Sequence, residues 1–248
     1  MQRLGIIDWG IGGVSIYRLI KEHLGDVGAT YFSDTGVTPY GKMSRLELVT
    51  RLDAVIEYLK DRGVTHIVIG CNAASTAISM LKDHGVPVEG VIDSSVETTV
   101  KLKPTRLGLI GGRRTVVSGV YRREFAAHNI AVHQRIAQPL SGMIESGDVA
   151  SQTLHSECER ILSPLKNCSH ILLACTHYPA ILTVLKYHVS SETQFIDPAS
   201  QLVGKVIRWE LKQSVGEKFL TSGNPATMKK AAKAAFGVNI ERVERVVV

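Results

Sequence analysis

Two ten-residue stretches of this chain are nearly the same sequence written twice. HIVIGCNAAS begins at residue 66 and HILLACTHYP at residue 170, and the cysteines Cys71 and Cys175 hold the same place in each. Further landmarks recur at nearly the same offset: Gly5 with Gly108, Pro39 and Gly41 with Pro139 and Gly142, and Asp93 with Asp197. A repeat of this length predicts two similar structural halves, joined near 95–105.

Strand and helix patterns alternate through both halves. Short apolar runs predict strands at 4–8, 29–34, 66–71 and 88–93, then at 106–112, 132–137, 170–175 and 193–199. Helical periods lie between them at 44–62, 116–128, 139–164 and 179–189. Ser44 and Glu47 form a capping-box start for the first of these helices, and Gly63 marks its end. This alternation predicts an α/β protein with two pseudo-symmetric domains, each a mainly parallel sheet flanked by helices.

The repeat also predicts the domain boundaries. We expect residues 1–95 plus 207–248 to form the first α/β domain and residues 96–206 to form the second, because the stretch after about 207 has no counterpart in the repeat. Ligands of such folds bind at the carboxyl ends of parallel strands. Each domain would therefore contribute one cysteine to an active site in the interdomain cleft.

Composition narrows the class of protein. The chain is 44% hydrophobic and 21% charged, which is typical of a globular protein with a real core. It lacks an apolar run of the ~20 residues that a membrane span needs, and MQRLGIIDWG does not resemble a signal peptide. We therefore expect a cytoplasmic protein without a membrane partner. The cysteines are too scattered for a disulfide framework: Cys71, Cys158, Cys168 and Cys175.

The net charge of +6 raises the possibility of nucleic-acid binding. The basic residues are dispersed, however, and the densest group near Lys229 lacks the interleaved aromatic residues of a single-strand binder. The positive net charge is better explained by basic side chains exposed to solvent, so we predict no nucleic-acid partner.

Each repeated cysteine ends a predicted strand and precedes a helix. Backbone N–H groups at a helix N-terminus favour a thiolate, so we expect a lowered pKa at both Cys71 and Cys175. The alternative is that both are small buried apolar residues. Two thiols facing each other across a substrate carbon suit racemisation, in which one accepts the α-proton while the other donates one. Asp8 and His177 are candidates to assist them, and Asp8 also suits a substrate ammonium group.

The residues match a known family. The chain resembles the cofactor-independent aspartate/glutamate racemases over about 200 residues in order, as estimated from the spacing of the shared motifs. The matching segments are IIDWGIGGVS (6–15), YFSDTGVTPYG (31–41), CNAAS (71–75), TVVSGVY (115–121), CTHYP (175–179) and FIDPA (195–199).

This resemblance implies an amino-acid racemase with a small acidic amino acid as substrate. It also implies a homodimer that needs no cofactor or metal. Cys71 and Cys175 would be the catalytic acid/base pair, assisted by Asp8 and His177. Substrate contacts are implied for further residues: Tyr40, Gly41, Asn72, Thr176 and, more weakly, Thr115 and Ser118.

The chain departs from the family's glutamate racemases at two positions. Trp9 stands where those enzymes usually have serine, and Ala73 where they have threonine, so two hydroxyl contacts are lost. The Ala73 backbone N–H remains available to a carboxylate. If the Trp9 ring points into the cleft, the pocket shrinks and favours the four-carbon substrate aspartate; otherwise the ring packs against the protein. We therefore expect an aspartate racemase, with a glutamate racemase as the alternative.

Three rival interpretations remain open. Gly10-x-Gly12-x-x-Ser15 after a strand, with Asp34 ending the next strand, is a degenerate dinucleotide fingerprint. Zinc could in principle take Cys71, Cys175, His177 and Asp8, although no C-x-x-C pair supports a metal site. A non-catalytic amino-acid-binding protein is the third, although a binder has no need of matched thiols.

Overall fold

The strands alternate with helices along the chain, as the sequence predicts. The structure is a computed structural model that describes residues 2–25, 27–211 and 216–248. Its strands are β1 (Leu4–Asp8), β2 (Ala29–Ser33), β3 (His66–Ile69), β4 (Val88–Gly90), β5 (Leu107–Gly111), β6 (Val132–Ile136), β7 (His170–Ala174), β8 (Gln194–Ile196), β9 (Glu217–Thr221) and β10 (Glu244–Arg245).

Two parallel sheets carry the repeat. One has the order β10-β9-β2-β1-β3-β4, and the other has the order β6-β5-β7-β8. The β2-β1-β3-β4 part of the first sheet therefore has the strand order of the whole second sheet. Even the register agrees, because Leu4 pairs with His66 just as Leu107 pairs with His170. The predicted fold of two similar α/β halves is confirmed.

Helices cover the faces of both sheets. They are α1 (Val14–Leu24), α2 (Arg45–Lys60), α3 (Asn72–Ser75), α4 (Val91–Leu102), α5 (Arg113–Val117), α6 (Val120–Ala127), α7 (Gln138–Glu145), α8 (Gln152–Leu162), α9 (Leu182–Tyr187), α10 (Ala199–Ile207) and α11 (Pro225–Phe236). Short 3₁₀ turns lie at Ile78–Met80, Ser163–Leu165 and Tyr178–Ile181. Among the residues described, no helix is both long and apolar enough to cross a bilayer.

Local sequence signals placed several elements correctly. Ser44 caps α2 with the predicted box, since its hydroxyl accepts the Glu47 N–H and the Glu47 carboxylate accepts the Ser44 N–H. The strand predicted over 88–93 was wrong in its second half, because the chain turns at Gly90 and residue 91 already begins α4. The helix predicted over 116–128 is two helices, divided at Gly119, whose φ is +68°.

The first sheet includes the C-terminal part of the chain, because β9 pairs with β2 and β10 pairs with β9. The domain boundaries at 95/96 and 206/207 remain predictions, and both fall inside helices, α4 and α10. One buried hydrophobic cluster is continuous between the halves and joins, for example, Ile16 to Val203.

Candidate active site

A cavity of about 350 Å³ lies between the two sheets, at the carboxyl ends of β1, β3 and β7. All but one of the predicted site residues line it: Asp8, Trp9, Tyr40, Gly41, Cys71, Asn72, Ala73, Thr115, Cys175, Thr176 and His177. The repeated pairs Pro39 with Gly41 and Pro139 with Gly142 line it as well. The two copies of the repeat therefore supply corresponding walls of one cleft.

Asp8 is the last residue of β1, and its carboxylate is completely buried. Oδ2 accepts hydrogen bonds from the Gly13 N–H at 2.6 Å and the Thr176 hydroxyl at 3.3 Å, and Oδ1 accepts the Trp9 N–H at 2.7 Å. Burial raises the pKa of Asp8, although the charge of His177 and the Gly13 N–H partly offset this. A carboxylate with a raised pKa is a better proton acceptor.

Cys71 lies at the N-terminus of α3, but the expected lowering of its pKa is wrong. Burial raises the pKa of this thiol well above its ordinary value, and the negative charge of Asp8 raises it further. The Ala74 N–H acts in the opposite direction but is outweighed. A helix of four residues provides too weak a dipole to overcome desolvation beside a carboxylate, so Cys71 is a neutral thiol.

Cys175 follows β7 and is paired with His177. The Cys175 Sγ lies 3.7 Å from His177 Nδ1, and His177 Nε2 lies 2.7 Å from Oε2 of Glu145. Burial alone would lower the pKa of His177, but its contacts with Cys175 and Glu145 outweigh burial and raise that pKa well above its ordinary value. The imidazole therefore holds a proton beside the second thiol at neutral pH.

Glu145, at the end of α7, also binds the glycine loop, because its Oε2 accepts the Ile11 N–H at 3.0 Å. This packing explains the glycines of the loop. A Cβ at Gly10 would come within 2.2 Å of Glu145 Oε2, and one at Gly12 within 2.4 Å of the Thr176 hydroxyl. The loop N–H groups that a dinucleotide phosphate would need at residues 11 and 13 bind carboxylates of the chain itself. The dinucleotide interpretation therefore loses its support.

Two buried polar groups in the cavity wall have no hydrogen-bond partner. They are Nδ2 of Asn72 and the hydroxyl of Thr115, and both residues were predicted to bind substrate. Leaving a buried donor unpaired costs about 1–3 kcal/mol, so such donors indicate a ligand that accepts from them. A carboxylate has the required acceptor oxygens.

Trp9 both lines the cavity and packs against the protein. Its indole Nε1 donates to the Val37 carbonyl at 3.1 Å, and its ring contacts the hydrophobic cluster of the first half. The side chain is half-buried and forms one side wall. The ring therefore lines the cleft and packs against the protein at the same time, although the sequence offered these as alternatives.

The loop that carries Tyr40 and Gly41 is held from two directions. The Tyr40 hydroxyl donates to Asp34 at 2.7 Å, and Asp34 also forms a bidentate ion pair with Arg51. From the other half, the Arg114 guanidinium donates to the carbonyls of Tyr40 and Met43. The Tyr40 hydroxyl is thus occupied, and the loop offers its backbone to the cavity.

Ser118 is the predicted site residue that the fold does not bring to the cavity. Its hydroxyl donates to the Thr115 carbonyl at 2.8 Å, within the turn between α5 and α6. Over the described ranges, no group of three or more His, Cys, Asp and Glu side chains is arranged to hold a metal ion.

Sequence reasoning missed residues that reach the site from other elements. Glu145 carries no local signal, because it contacts His177 only through the packing of α7. Gln138 and Ser141 on the same helix line the cavity. Tyr121 ended one of the matching segments, yet nothing in the sequence indicated that its hydroxyl contacts Asn72.

Comparisons with known proteins bear on the family of this chain. A sequence model of the Asp/Glu/Hydantoin racemase family matches residues 4–206. A glutamate racemase from Bacillus cereus is 31% identical over 260 aligned positions, which cover 99% of this chain and 97% of that protein.

Solved structures give the same picture. The glutamate racemase of Francisella tularensis, determined in complex with D-glutamate, superimposes with a TM-score of 0.90 at 25% identity over 99% of this chain and 97% of that one. An aspartate racemase from Picrophilus torridus shares the fold, with a TM-score of 0.66 at 20% identity over 86% of this chain and 96% of its own. The chain therefore belongs to the Asp/Glu/Hydantoin racemase family, and it is an isomerase of the racemase class.

Proposed function

We propose that this racemase interconverts L- and D-glutamate by proton transfer between Cys71 and Cys175, without a bound cofactor. The observation that carries the proposal is the presence of both thiols in the wall of one cavity, at matching positions of the repeat. Each thiol has its own acid/base neighbour. The charge of Asp8 raises the pKa of Cys71, and His177 Nδ1 lies 3.7 Å from Cys175 Sγ.

The protons balance in both directions. In one direction the Cys175–His177 pair accepts the α-proton, so the Cα–H bond breaks as an S–H bond forms, and the neutral Cys71 thiol donates a proton to the opposite face. In the reverse direction Asp8 first takes the Cys71 proton, and Cys71 then accepts the α-proton as the Cα–H bond breaks. Cys175 donates its proton to the opposite face, and His177 supplies that proton to Cys175. Positioned acid/base groups of this kind contribute about 10²–10⁴-fold each.

The unpartnered donors support an amino-acid carboxylate as ligand. Asn72 Nδ2 and the Thr115 hydroxyl can both donate to carboxylate oxygens, which carry more negative charge once the α-proton has left. Donors already fixed in the wall need no reorganisation at that moment. The buried carboxylate of Asp8 suits the substrate ammonium group.

We propose glutamate as the preferred substrate, in place of the aspartate expected from the sequence. The expectation of aspartate assumed that the Trp9 ring would shrink the pocket, yet the indole is hydrogen-bonded to the Val37 carbonyl and packs against the protein while it lines the cavity. The remaining 350 Å³ corresponds to the volume of roughly a dozen waters, which leaves room for the additional methylene of glutamate. Glutamate racemases that are 27–31% identical align with at least 96% of this chain, whereas the aspartate racemase resembles this chain only in fold.

The proposal is tested by incubating pure protein with L-glutamate and L-aspartate separately, without added cofactor, and separating the enantiomers by chiral chromatography. We expect D-glutamate to accumulate until the two enantiomers are equal, and D-aspartate to form at least tenfold more slowly, a ratio within the range that one methylene confers. Faster turnover of aspartate would restore the earlier expectation.

Substitution of either thiol separates an enzyme from a binder. Cys71→Ser and Cys175→Ser should each lower turnover of both enantiomers by about 10²–10⁴-fold, because one proton carrier is lost. Cys168→Ser, a buried cysteine outside the cavity, is the control and should retain activity. A wild-type protein that binds glutamate without turnover would identify a non-catalytic binding protein.

We also propose that the chain acts as a homodimer in the cytoplasm, as the family resemblance implies. Light scattering coupled to gel filtration should give twice the 27.0 kDa mass of the chain. A single-chain mass at micromolar concentration would contradict the dimer.

A further inference from the structure

Asn72 is held in the cavity wall by a residue from the opposite half. Its Oδ1 accepts a hydrogen bond from the Tyr121 hydroxyl at 2.7 Å, whereas its Nδ2 is buried without a partner. We infer that Tyr121 is a positioning residue, which fixes the amide of Asn72 so that its N–H group faces the substrate carboxylate. This inference rests on the proposed function.

An asparagine amide needs such a partner because its oxygen and nitrogen ends have almost the same shape. A flip of the amide would turn an acceptor oxygen toward the carboxylate, which repels it, and only a hydrogen-bond partner decides between the two orientations. Tyr121 provides that partner as a donor. Burial raises the pKa of the Tyr121 phenol, so the hydroxyl keeps its proton at neutral pH.

Tyr121 is itself well fixed. The side chain is buried, its ring stacks on Phe125 with centroids 5.9 Å apart, and its oxygen lies 2.9 Å from Ser95 Oγ on α4. Ser95 Oγ also lies within hydrogen-bond distance of the Val91 carbonyl one turn earlier in the same helix, which fixes Ser95 beside Tyr121. A rigidly held hydroxyl fixes the group to which it donates more accurately than a mobile hydroxyl does.

The bond also crosses the cleft. Tyr121 belongs to α6 of the second half, and Asn72 begins α3 of the first half, next to Cys71. The Asn72 amide is therefore held in its binding orientation only when the two halves are packed together. Packing of the halves and formation of the carboxylate-binding site are thus coupled.

A double-mutant cycle tests this inference in the full-length protein. Tyr121→Phe should lower kcat/KM for glutamate about tenfold, the loss expected for one buried hydrogen bond. In an Asn72→Ala background the same substitution should change kcat/KM less than twofold, because a residue that acts only through Asn72 has nothing left to position. Tyr17→Phe, a buried tyrosine on α1 outside the cavity, is the control and should stay within twofold of wild type.

A purely structural role would give a different result. If Tyr121 only stabilised the fold, its substitution would cost the same factor in both backgrounds, and the thermal unfolding midpoint would fall in parallel. Equal effects in both backgrounds, or an unchanged kcat/KM in Tyr121→Phe, would overturn the inference. Wild-type protein that racemises neither glutamate nor aspartate would instead refute the proposed function; if aspartate is the substrate, the cycle is run with aspartate.

Discussion

At the scale of single residues, the two thiols of the site have unequal surroundings although the repeat places them alike. Cys71 faces the buried carboxylate of Asp8, and its pKa is raised. Cys175 faces an imidazole whose own pKa is raised by Cys175 and Glu145 against the effect of burial. The proposed two-way proton transfer would therefore use two thiols in unequal surroundings, one beside a carboxylate and one beside an imidazole.

Glu145 should control the protonation of His177. In Glu145→Gln the charge that helps to raise the His177 pKa is lost, so His177 should titrate at lower pH than in wild type. NMR titration of the imidazole measures this shift directly. We expect kcat at pH 8 to fall about tenfold, the effect of losing a charge-assisted hydrogen bond. Glu157→Gln, which breaks a surface pair with Arg160, is the control, and an unchanged His177 titration would contradict the prediction.

Trp9 should influence the choice between substrates. Trp9→Ser removes a wall of the cavity, so the smaller substrate should lose more contact than the larger one. We expect the ratio of kcat/KM for glutamate over aspartate to rise about tenfold, within the range that one methylene confers. Trp209→Phe alters a tryptophan outside the cavity, whose ring centroid lies 5.1 Å from that of His66, and should leave the ratio unchanged. An unaltered ratio in Trp9→Ser would mean that the indole does not contact the substrate side chain.

At the scale of elements, local sequence signals succeeded where the structure depends on local contacts. The start of α2 was predictable because both partners of its capping box lie within one turn. Ser44→Ala should therefore destabilise the protein by about 1 kcal/mol, measured by urea unfolding. Ser146→Ala, at the exposed end of α7, is the comparison, and equal losses in the two variants would contradict a specific cap.

The last turn of α2 contacts the loop that follows the 3₁₀ turn Ile78–Met80. Glu57 contacts His84 at 2.7 Å as well as Lys60 and Lys82, and these contacts lower its pKa from 4.5 to about 2. A lowered carboxylate pKa stabilises the fold above pH 4.5, and this stabilisation is lost as the pH falls toward 2. Wild type should therefore exceed Glu57→Gln in unfolding free energy at pH 7, and the difference should shrink between pH 4.5 and pH 2. A difference independent of pH would contradict the assignment.

At the scale of the whole molecule, contacts between the halves hold the cleft together. Arg114 binds the loop of Tyr40, Glu145 binds the Ile11 N–H, and Tyr121 binds Asn72. Each contact joins a residue of one half to a residue of the other. The site is therefore a property of the assembled pair of sheets, which neither half has alone.

The cleft should also attract its substrate from a distance. Lys42 lines the cavity without an ion pair among the described residues. Nearby, burial and then the positive charge of Arg45 lower the pKa of Arg114. Salt screens such charges over about 10 Å at 0.1 M. Lys42→Gln should thus lower kcat/KM for glutamate at low salt, and the deficit should disappear near 0.5 M salt. Lys166→Gln, outside the cavity, is the control; a deficit that persists at high salt would indicate direct contact instead.

The two-half α/β fold and the positions of both thiols were predictable from the sequence, because strand periods and caps are local patterns and the repeat shows that both halves share them. The surroundings of those thiols depend instead on contacts between segments that are distant in the sequence. Glu145 reaches His177 through the packing of α7, the Cys71 pKa rises through burial beside Asp8, and Tyr121 meets Asn72 across the cleft. Burial and contacts between distant segments have no local pattern, since they arise only when the two sheets are packed together.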